Sequence, residues 1–134
     1  MKHGVSAIIT RTNSEGGLEY LFIRANKDYG KHYGKYYPPS GWVEEGETIE
    51  DAIVRELMEE LKLQIKPIKL IVEIQGDLPD LMLHFIECEI VGGEIEMDKV
   101  ELNDVKWFSV EKLKDIDLWP ATTKFFKEYM KVDL

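Results

Sequence analysis

A glycine-led turn followed by a strongly acidic, amphipathic segment sets residues 41–63 (GWVEEGETIEDAIVRELMEELKL) apart from the rest of the chain. Eight residues of this segment are acidic and only two are basic. Thr48 can cap the N-terminus of a helix, and Glu50 and Asp51 would stand in its first turn, where the helix dipole favours negative charge. The pattern therefore predicts a helix that starts at Thr48.

At helical spacing the apolar side chains of this segment form one broad face that should pack on a sheet: Ile49, Ile53, Val54, Leu57, Met58 and Leu61. Glu60 projects between Ile49 and Ile53 at the edge of this face, and Glu56 and Glu59 lie further round. Like charges one turn apart repel each other, and partial burial raises the cost of ionising each carboxyl group. Such a strip needs a compensating cation, and ligands that offer only oxygen favour Mg²⁺ or Mn²⁺.

The spacing of these residues resembles the Nudix box, which reads glycine, five residues, glutamate, seven residues, then Arg-Glu-aliphatic-any-Glu-Glu-any-Gly-aliphatic. Gly41, Glu47 and the run from Arg55 to Leu63 match every fixed position except the last glycine, which is Lys62 here. Without that glycine, we expect the chain to leave the helix near Lys62 with another geometry. The competing interpretation is a plain acidic helix in which Arg55 pairs with a carboxylate one turn away.

The resemblance implies roles for the residues at the fixed positions of this box. Its metal ligands for one or more Mg²⁺ or Mn²⁺ ions would be three carboxylates and one backbone carbonyl: Glu56, Glu59, Glu60 and Gly41. Arg55 would pair with Glu47 or Glu59 and hold their orientation, which makes it a positioning residue for catalysis.

Glu101, six residues before Trp107, is a further candidate, because many Nudix relatives place an acid a few residues before a tryptophan-bearing strand. It would act as a metal ligand or a proton acceptor, with an ordinary surface acid as the alternative. Carboxylates that share metal ions titrate as a coupled set, so the sequence leaves open whether Glu59, Glu101 or another glutamate is the general base.

Around the acidic helix, turn-forming residues divide the chain into strands and helices. The predicted elements are strands at 3–10 and 18–24 forming one hairpin, strands at 65–74 and 81–90 forming another, a short strand at 105–108, a small helix capped by Ser109 and a last helix opening at Trp119-Pro120. Strands before, between and after two substantial helices indicate one α/β domain over residues 1–134 with helices on both faces of a sheet. The resemblance implies the same architecture, an α/β/α sandwich with a mixed sheet.

The loop at 26–37 (NKDYGKHYGKYY) concentrates lysines and tyrosines in an otherwise acidic chain. Lysines attract phosphate and tyrosine rings stack on bases, whereas a polar loop whose tyrosines cover the core is the alternative. We expect this loop to border the substrate pocket. The candidate substrate-binding residues are Arg24, Lys35, Tyr36, His84, Phe85 and Thr122.

Charge and cysteine content restrict the class of partner. A formal net charge of −9 argues against a nucleic-acid polymer or an anionic membrane and leaves a small nucleotide whose phosphates are neutralised by metal ions. Cys88 is the only cysteine, and no apolar run approaches a membrane span or a signal peptide. We therefore expect a soluble, cytoplasmic protein, with a homodimer left open.

The resemblance implies a hydrolase of nucleoside diphosphates linked to another group. The short chain resembles MutT-type members, which favours a nucleoside or deoxynucleoside triphosphate giving the monophosphate and pyrophosphate. Thr122 stands about where the oxidised-guanine enzymes carry a base-reading asparagine, so the base stays open. Dinucleoside tetraphosphates and ADP-ribose are the alternative substrates, and a catalytically silent nucleotide-binding sensor on the same fold is the alternative class.

Overall fold

The computed structural model describes residues 1–27 and 30–134, with Lys31 described by its backbone alone. The strands in chain order are β1 (Lys2–Ile8), β2 (Thr10–Thr12), β3 (Leu18–Ala25), β4 (Tyr36–Tyr37), β5 (Ser40–Trp42), β6 (Gln64–Gln75), β7 (Leu81–Gly92) and β8 (Leu102–Ser109). The helices are α1 (Ile49–Leu61) and α2 (Pro120–Lys124), which continues as a π-helical turn over Phe125–Tyr129, and 3₁₀ turns occur at Gly30–His32 and Val110–Asp115. Tyr29 and the side chain of Lys31, both part of the predicted substrate loop, lie outside the described residues.

These strands form two sheets. The first has the order β5-β1-β7-β6, in which β1 runs parallel to β7 and the other pairs are antiparallel. In the second sheet β3 pairs antiparallel with β2, β4 and β8. The predicted mixed sheet is therefore confirmed.

Two hydrophobic clusters lie on opposite faces of the first sheet, because side chains alternate along each strand. Ala7 and Ile86 point into the cluster beneath α1, whereas Ile8 and Phe85 point into the cluster that contains Phe125. Helices thus cover both faces, as an α/β/α sandwich requires. Within the described residues, no helix combines the length and the apolar character needed to cross a membrane.

The second predicted hairpin is confirmed, since β6 and β7 pair along almost their whole length. The prediction of one strand over 3–10 is wrong. β1 stays paired to β7 as far as Ile8, but the carbonyl of Ile9 already accepts a hydrogen bond from the Leu21 amide of β3 (3.1 Å). The chain therefore passes from the first sheet to the second at Ile9, and only Thr10–Thr12 forms the hairpin with β3.

Helix α1 begins as predicted, with the Thr48 hydroxyl accepting a hydrogen bond from the Asp51 amide (3.1 Å). Its end differs from the prediction, because Lys62 adopts the left-handed conformation (φ 59°) that a glycine usually takes at this position. The amide of Lys62 then bonds the Met58 carbonyl (3.1 Å) and that of Leu63 bonds the Leu57 carbonyl (3.3 Å). The helix keeps the usual stop, and the strain of a positive φ falls on a lysine.

Two smaller predictions need correction. Val54 and Met58 are each 38% exposed, so the buried face of α1 is narrower than predicted and includes Ala52 beside the larger apolar residues. Ser109 precedes a 3₁₀ helix rather than an α-helix, and its side chain makes no capping hydrogen bond. Trp119 and Pro120 do open the last helix, with Pro120 at a first-turn position that needs no amide donor.

Candidate active site

One cavity of about 640 Å³ connects the acidic edge of α1 with the start of α2. The first sheet lies between these helices, so the cavity extends past its β5 edge. The polar residues that line it include Ser6, Ser40, Arg55, Glu56, Glu59, Glu60, Asp77, Asp98, Glu101 and Thr122. The structure therefore brings the four predicted carboxylates and Arg55 to one cavity.

Gly41 and Glu56 are in very close contact at the floor of the acidic part. A Cβ atom on residue 41 would overlap the carboxylate of Glu56. Glycine is needed here for this close approach, since the φ angle of Gly41 is not among the positive ones. Burial raises the pKa of Glu56, although its hydrogen bond to Arg55 acts in the opposite direction.

Glu60 has the least favourable surroundings of the acidic residues. Burial first, and then the charges of Glu56, Glu101 and Asp98, raise its pKa from the ordinary value of 4.5 to about 8. Its Oε2 atom is buried and has no hydrogen-bond partner among the residues that the structure describes. A buried acceptor without a donor costs free energy unless something else satisfies it, and a cation would do so.

Arg55 binds the carboxylates around it as a fork. Its Nε and Nη2 atoms donate to the two oxygens of Glu47 (2.7 and 2.9 Å), and Nη1 donates to Glu56 (2.9 Å) and Glu59 (3.1 Å). Nη2 also donates to the carbonyl of Trp42 (2.9 Å). These hydrogen bonds lower the pKa of Glu47 to about 2 and raise that of Arg55. Both of the predicted partners of Arg55, Glu47 and Glu59, are thus in contact with it.

The connection before β8 holds two further acids against the end of α1. The amide of Glu96 bonds the Leu61 carbonyl (2.9 Å), and the amide of Asp98 bonds the Glu60 carbonyl (2.8 Å). These bonds bring Asp98 and Glu101 into the same cavity. Asp98 was not among the predicted site residues; its only signal in the sequence was its position three residues before Glu101 in the same polar connection.

The donor set fits a hard divalent cation, because it consists of carboxylates, one of which has an unpartnered buried oxygen. Across the described ranges, no three acidic, histidine or cysteine side chains converge in a way that could hold a metal. Arg55 engages two of the carboxylates, Glu56 and Glu59, and holds them toward its guanidinium.

Of the predicted substrate-binding residues, Thr122 lines the cavity and is 4% exposed. Phe85 and His84 lie elsewhere. The Phe85 ring stacks on Phe125 in the core with its centroid 4.2 Å away. His84 alternates onto the α1 face, where its Nε2 lies 2.9 Å from His3 Nδ1.

The other three candidates sit in the second sheet or beside it. Arg24 donates to Asn103 (2.7 Å) and lies over the Tyr36 ring. Tyr36 is buried and its hydroxyl donates to Asp104, while Lys35 lies 3.9 Å from Asp117. Each of these side chains is committed to a contact away from the cavity, so the geometry does not favour their prediction as substrate ligands.

Aromatic residues that the sequence analysis did not select line the cavity instead. Tyr37 and Trp119 pack edge to face with centroids 5.9 Å apart, and both border it. Trp42 borders it as well and is 43% exposed. Tyr37 belonged to the predicted substrate loop and Trp42 directly follows Gly41, but neither position alone indicates which way a ring points.

Fold and site together define a class, an α/β/α domain with a glutamate-rich helix on one face of its mixed sheet. The family model described as NUDIX domain matches residues 2–129, and the chain therefore belongs to the Nudix hydrolase family. This confirms the resemblance drawn from the box.

A curated relative is considerably longer than the region that it shares with this chain. The chain is 36% identical over 100 residues to the NAD-capped RNA hydrolase NudC of Pectobacterium carotovorum, a match that covers 75% of this chain and 37% of that protein. The matched region thus spans little more than a third of this curated relative.

Solved structures share the fold at low identity. A MutT NUDIX hydrolase from Burkholderia pseudomallei superposes with a TM-score of 0.80 at 20% identity, covering 95% of this chain and 96% of that one. An ADP-ribose pyrophosphatase from Streptococcus suis gives a TM-score of 0.68 at 22% identity, covering 90% and 81%.

Proposed function

We propose that this protein hydrolyses the pyrophosphate bond of a nucleoside diphosphate linked to a second group, with a divalent cation as cofactor, and that dinucleotides of the NAD type are its preferred substrates. The observation that carries the proposal is the buried, unpartnered oxygen of Glu60 within a group of carboxylates that faces a ligand-sized cavity. A structural role gives no reason to collect these charges.

Hydrolysis of a phosphoanhydride requires neutralised phosphate charge, a positioned water and removal of a proton. When bound, Mg²⁺ supplies the charge neutralisation, and Glu56, Glu59 and Glu60 with the Gly41 carbonyl are the residues that would hold it. Arg55 fixes the orientation of Glu56 and Glu59 through its two Nη1 hydrogen bonds. Glu101 is exposed at the same cavity, and we assign it the role of proton acceptor, with Glu59 as the alternative.

The aromatic lining supports a substrate with two planar groups. Trp42 borders the cavity that contains the carboxylates, and its ring, 5.4 Å from the Lys2 ammonium, is partly exposed. The Tyr37–Trp119 pair offers a second aromatic surface from other elements of the same cavity. Aromatic rings stack on planar heterocycles, and a dinucleotide has one at each end. The Pectobacterium relative is an NAD-capped RNA hydrolase, and its name points to the same substrate class.

The second candidate is a nucleoside triphosphate hydrolysed to monophosphate and pyrophosphate. Lys27 favours it, because this residue lines the cavity and brings a positive charge toward a longer phosphate chain.

The test is a substrate panel of NAD⁺, ADP-ribose, diadenosine tetraphosphate, dATP and dGTP at equal concentration with Mg²⁺, analysed by chromatography of the products. We expect the highest kcat/KM for NAD⁺, with nicotinamide mononucleotide and AMP as products. Faster release of pyrophosphate from dATP or dGTP would favour the second candidate. Binding of these nucleotides without turnover of any would identify a sensor instead. A Glu60→Gln variant controls for contaminating phosphatases.

A further inference from the structure

The start of α2 is held from two directions. The Trp119 amide donates to the Tyr36 carbonyl of the second sheet (3.1 Å). From the first sheet, the turn between β6 and β7 contributes Asp77, whose two carboxylate oxygens lie 3.1 and 3.0 Å from the Ala121 amide. The first turn of α2 therefore connects the two sheets across the cavity.

Asp77 takes the place of a missing local cap. Trp119 occupies the N-cap position without a capping side chain, and Pro120 has no amide hydrogen. The Ala121 amide is the first donor of the helix that needs a partner. A carboxylate 44 residues earlier in the chain supplies it, which fixes the helix relative to the β6–β7 turn.

The residues joined in this way are part of the cavity wall. Asp77, Ala121 and the neighbouring Thr122 all line the cavity, and Ala121 and Thr122 are buried. The carboxylates that would hold a cation belong to α1 and to the connection before β8. A shift of the α2 wall would therefore change nucleotide binding and leave the acidic part of the site in place.

We propose that Asp77 is a positioning residue that sets the nucleoside-binding wall formed by the start of α2. The proposal rests on the proposed function only in taking the ligand to be a nucleotide. Losing a helix cap costs about as much free energy as a fivefold change in a binding constant, and this is the most that it can take from nucleotide binding. Asp77→Ala should therefore raise the KM of the nucleotide substrate and the Kd of AMP, by about fivefold at the upper limit, with kcat nearly unchanged.

Two matched variants separate position from charge. Asp77→Asn removes the charge but keeps an oxygen acceptor for the Ala121 amide, so it should behave like the parent. Asp80→Asn removes one charge from the same turn at an exposed residue and should also behave like the parent. Asp77→Ser, whose hydroxyl ends one bond short of the carboxylate oxygens, should shift both constants as Asp77→Ala does and serves if that variant does not fold.

The experiment measures AMP binding by calorimetry without metal, alongside kcat and KM on the best substrate of the panel. Weaker AMP binding in the Ala and Ser variants, parent-like binding in both Asn variants and an unchanged kcat support the role. Parent-like AMP binding by folded Asp77→Ala or Asp77→Ser overturns the role. An equal loss of binding in Asp77→Asn or Asp80→Asn overturns it as well. A fall in kcat with constant KM also contradicts it. Because AMP binding needs no turnover, a parent that hydrolyses nothing refutes the proposed function without deciding this one.

Discussion

Replacing Glu60 by glutamine should stabilise the metal-free protein while it removes most of the activity. The parent carboxylate is disfavoured in the folded chain, because burial and four neighbouring acids raise its pKa to about 8. Glutamine has nearly the same shape and no charge. The folded state therefore no longer bears the cost of a buried carboxyl that must stay protonated above its ordinary pKa, but it also loses a ligand that a divalent cation needs.

The sign and size follow from proton linkage. A carboxyl whose folded pKa is raised from 4.5 to about 8 imposes no cost below pH 4.5, where both states are protonated, and a growing cost as the pH rises toward 8. Between pH 4.5 and pH 7, an interval of about 2.5 pH units, the carboxyl is deprotonated in the unfolded chain and still protonated in the folded one. This difference corresponds to at most about 3 kcal/mol of lost stability at pH 7. Relaxation of the surroundings reduces this figure, so we expect a gain of about 1–3 kcal/mol for Glu60→Gln at pH 7.

The measurement is urea unfolding in the presence of a chelator at pH 7 and at pH 4.5, with Glu59→Gln as the control. Glu59 is on the same helix but its side chain is 58% exposed, so its loss should change stability by less than about 0.5 kcal/mol. The gain for Glu60→Gln should nearly vanish at pH 4.5. A variant that is less stable than the parent at pH 7, or a gain that does not change with pH, would refute the reasoning.

The remaining predictions concern the cation and the cavity. Millimolar Mg²⁺ should raise the melting temperature of the parent, and an equal ionic strength of Na⁺ should not, because the ion binds only the assembled carboxylates; equal shifts would argue against the site. Gly41→Ala should fold but lose activity, since its methyl group displaces Glu56, and unchanged kcat/KM would contradict this contact. Lys27→Ser should raise the KM for nucleoside triphosphates severalfold, because Lys27 lines the cavity. Lys35→Ser should not, because the Lys35 side chain lies near Asp117. Equal effects of the two variants would contradict this difference between the two lysines.

Residues whose relative positions follow from local spacing were predictable. Thr48, Arg55 and the three glutamates of α1 lie within one helical segment, so their relative positions depend on the helix repeat alone. The stop at Lys62 was not predictable in this way. Glycine is preferred in the left-handed conformation, but the hydrogen bonds from Lys62 and Leu63 to the last turn stabilise the same conformation in a lysine.

Residues whose role depends on how distant elements meet were not predictable. Leu83 and Phe85 point to the same face of β7, yet Leu83 lines the cavity and Phe85, two residues further along, lies beneath Phe125. His84 between them faces α1 instead. Which of the three meets a ligand is decided by where α2 crosses the sheet, and neither the strand pattern nor the composition of β7 contains that information.

Arg55 explains how the acidic group persists in a folded chain without a cation. Its guanidinium satisfies oxygens of Glu47, Glu56 and Glu59, so these carboxylates have a counter-charge within the protein. Glu60 is outside this network. Burial, and then the charges of Glu56, Glu101, Asp98 and Glu59, raise its pKa, whereas the hydrogen bonds from Arg55 lower that of Glu47. Lysine at position 55 would offer a single charged centre and no planar fork, and so would leave some of these oxygens without a donor. The arginine thus gives Glu47, Glu56 and Glu59 a counter-charge, whereas Glu60 keeps a buried oxygen that a cation would satisfy.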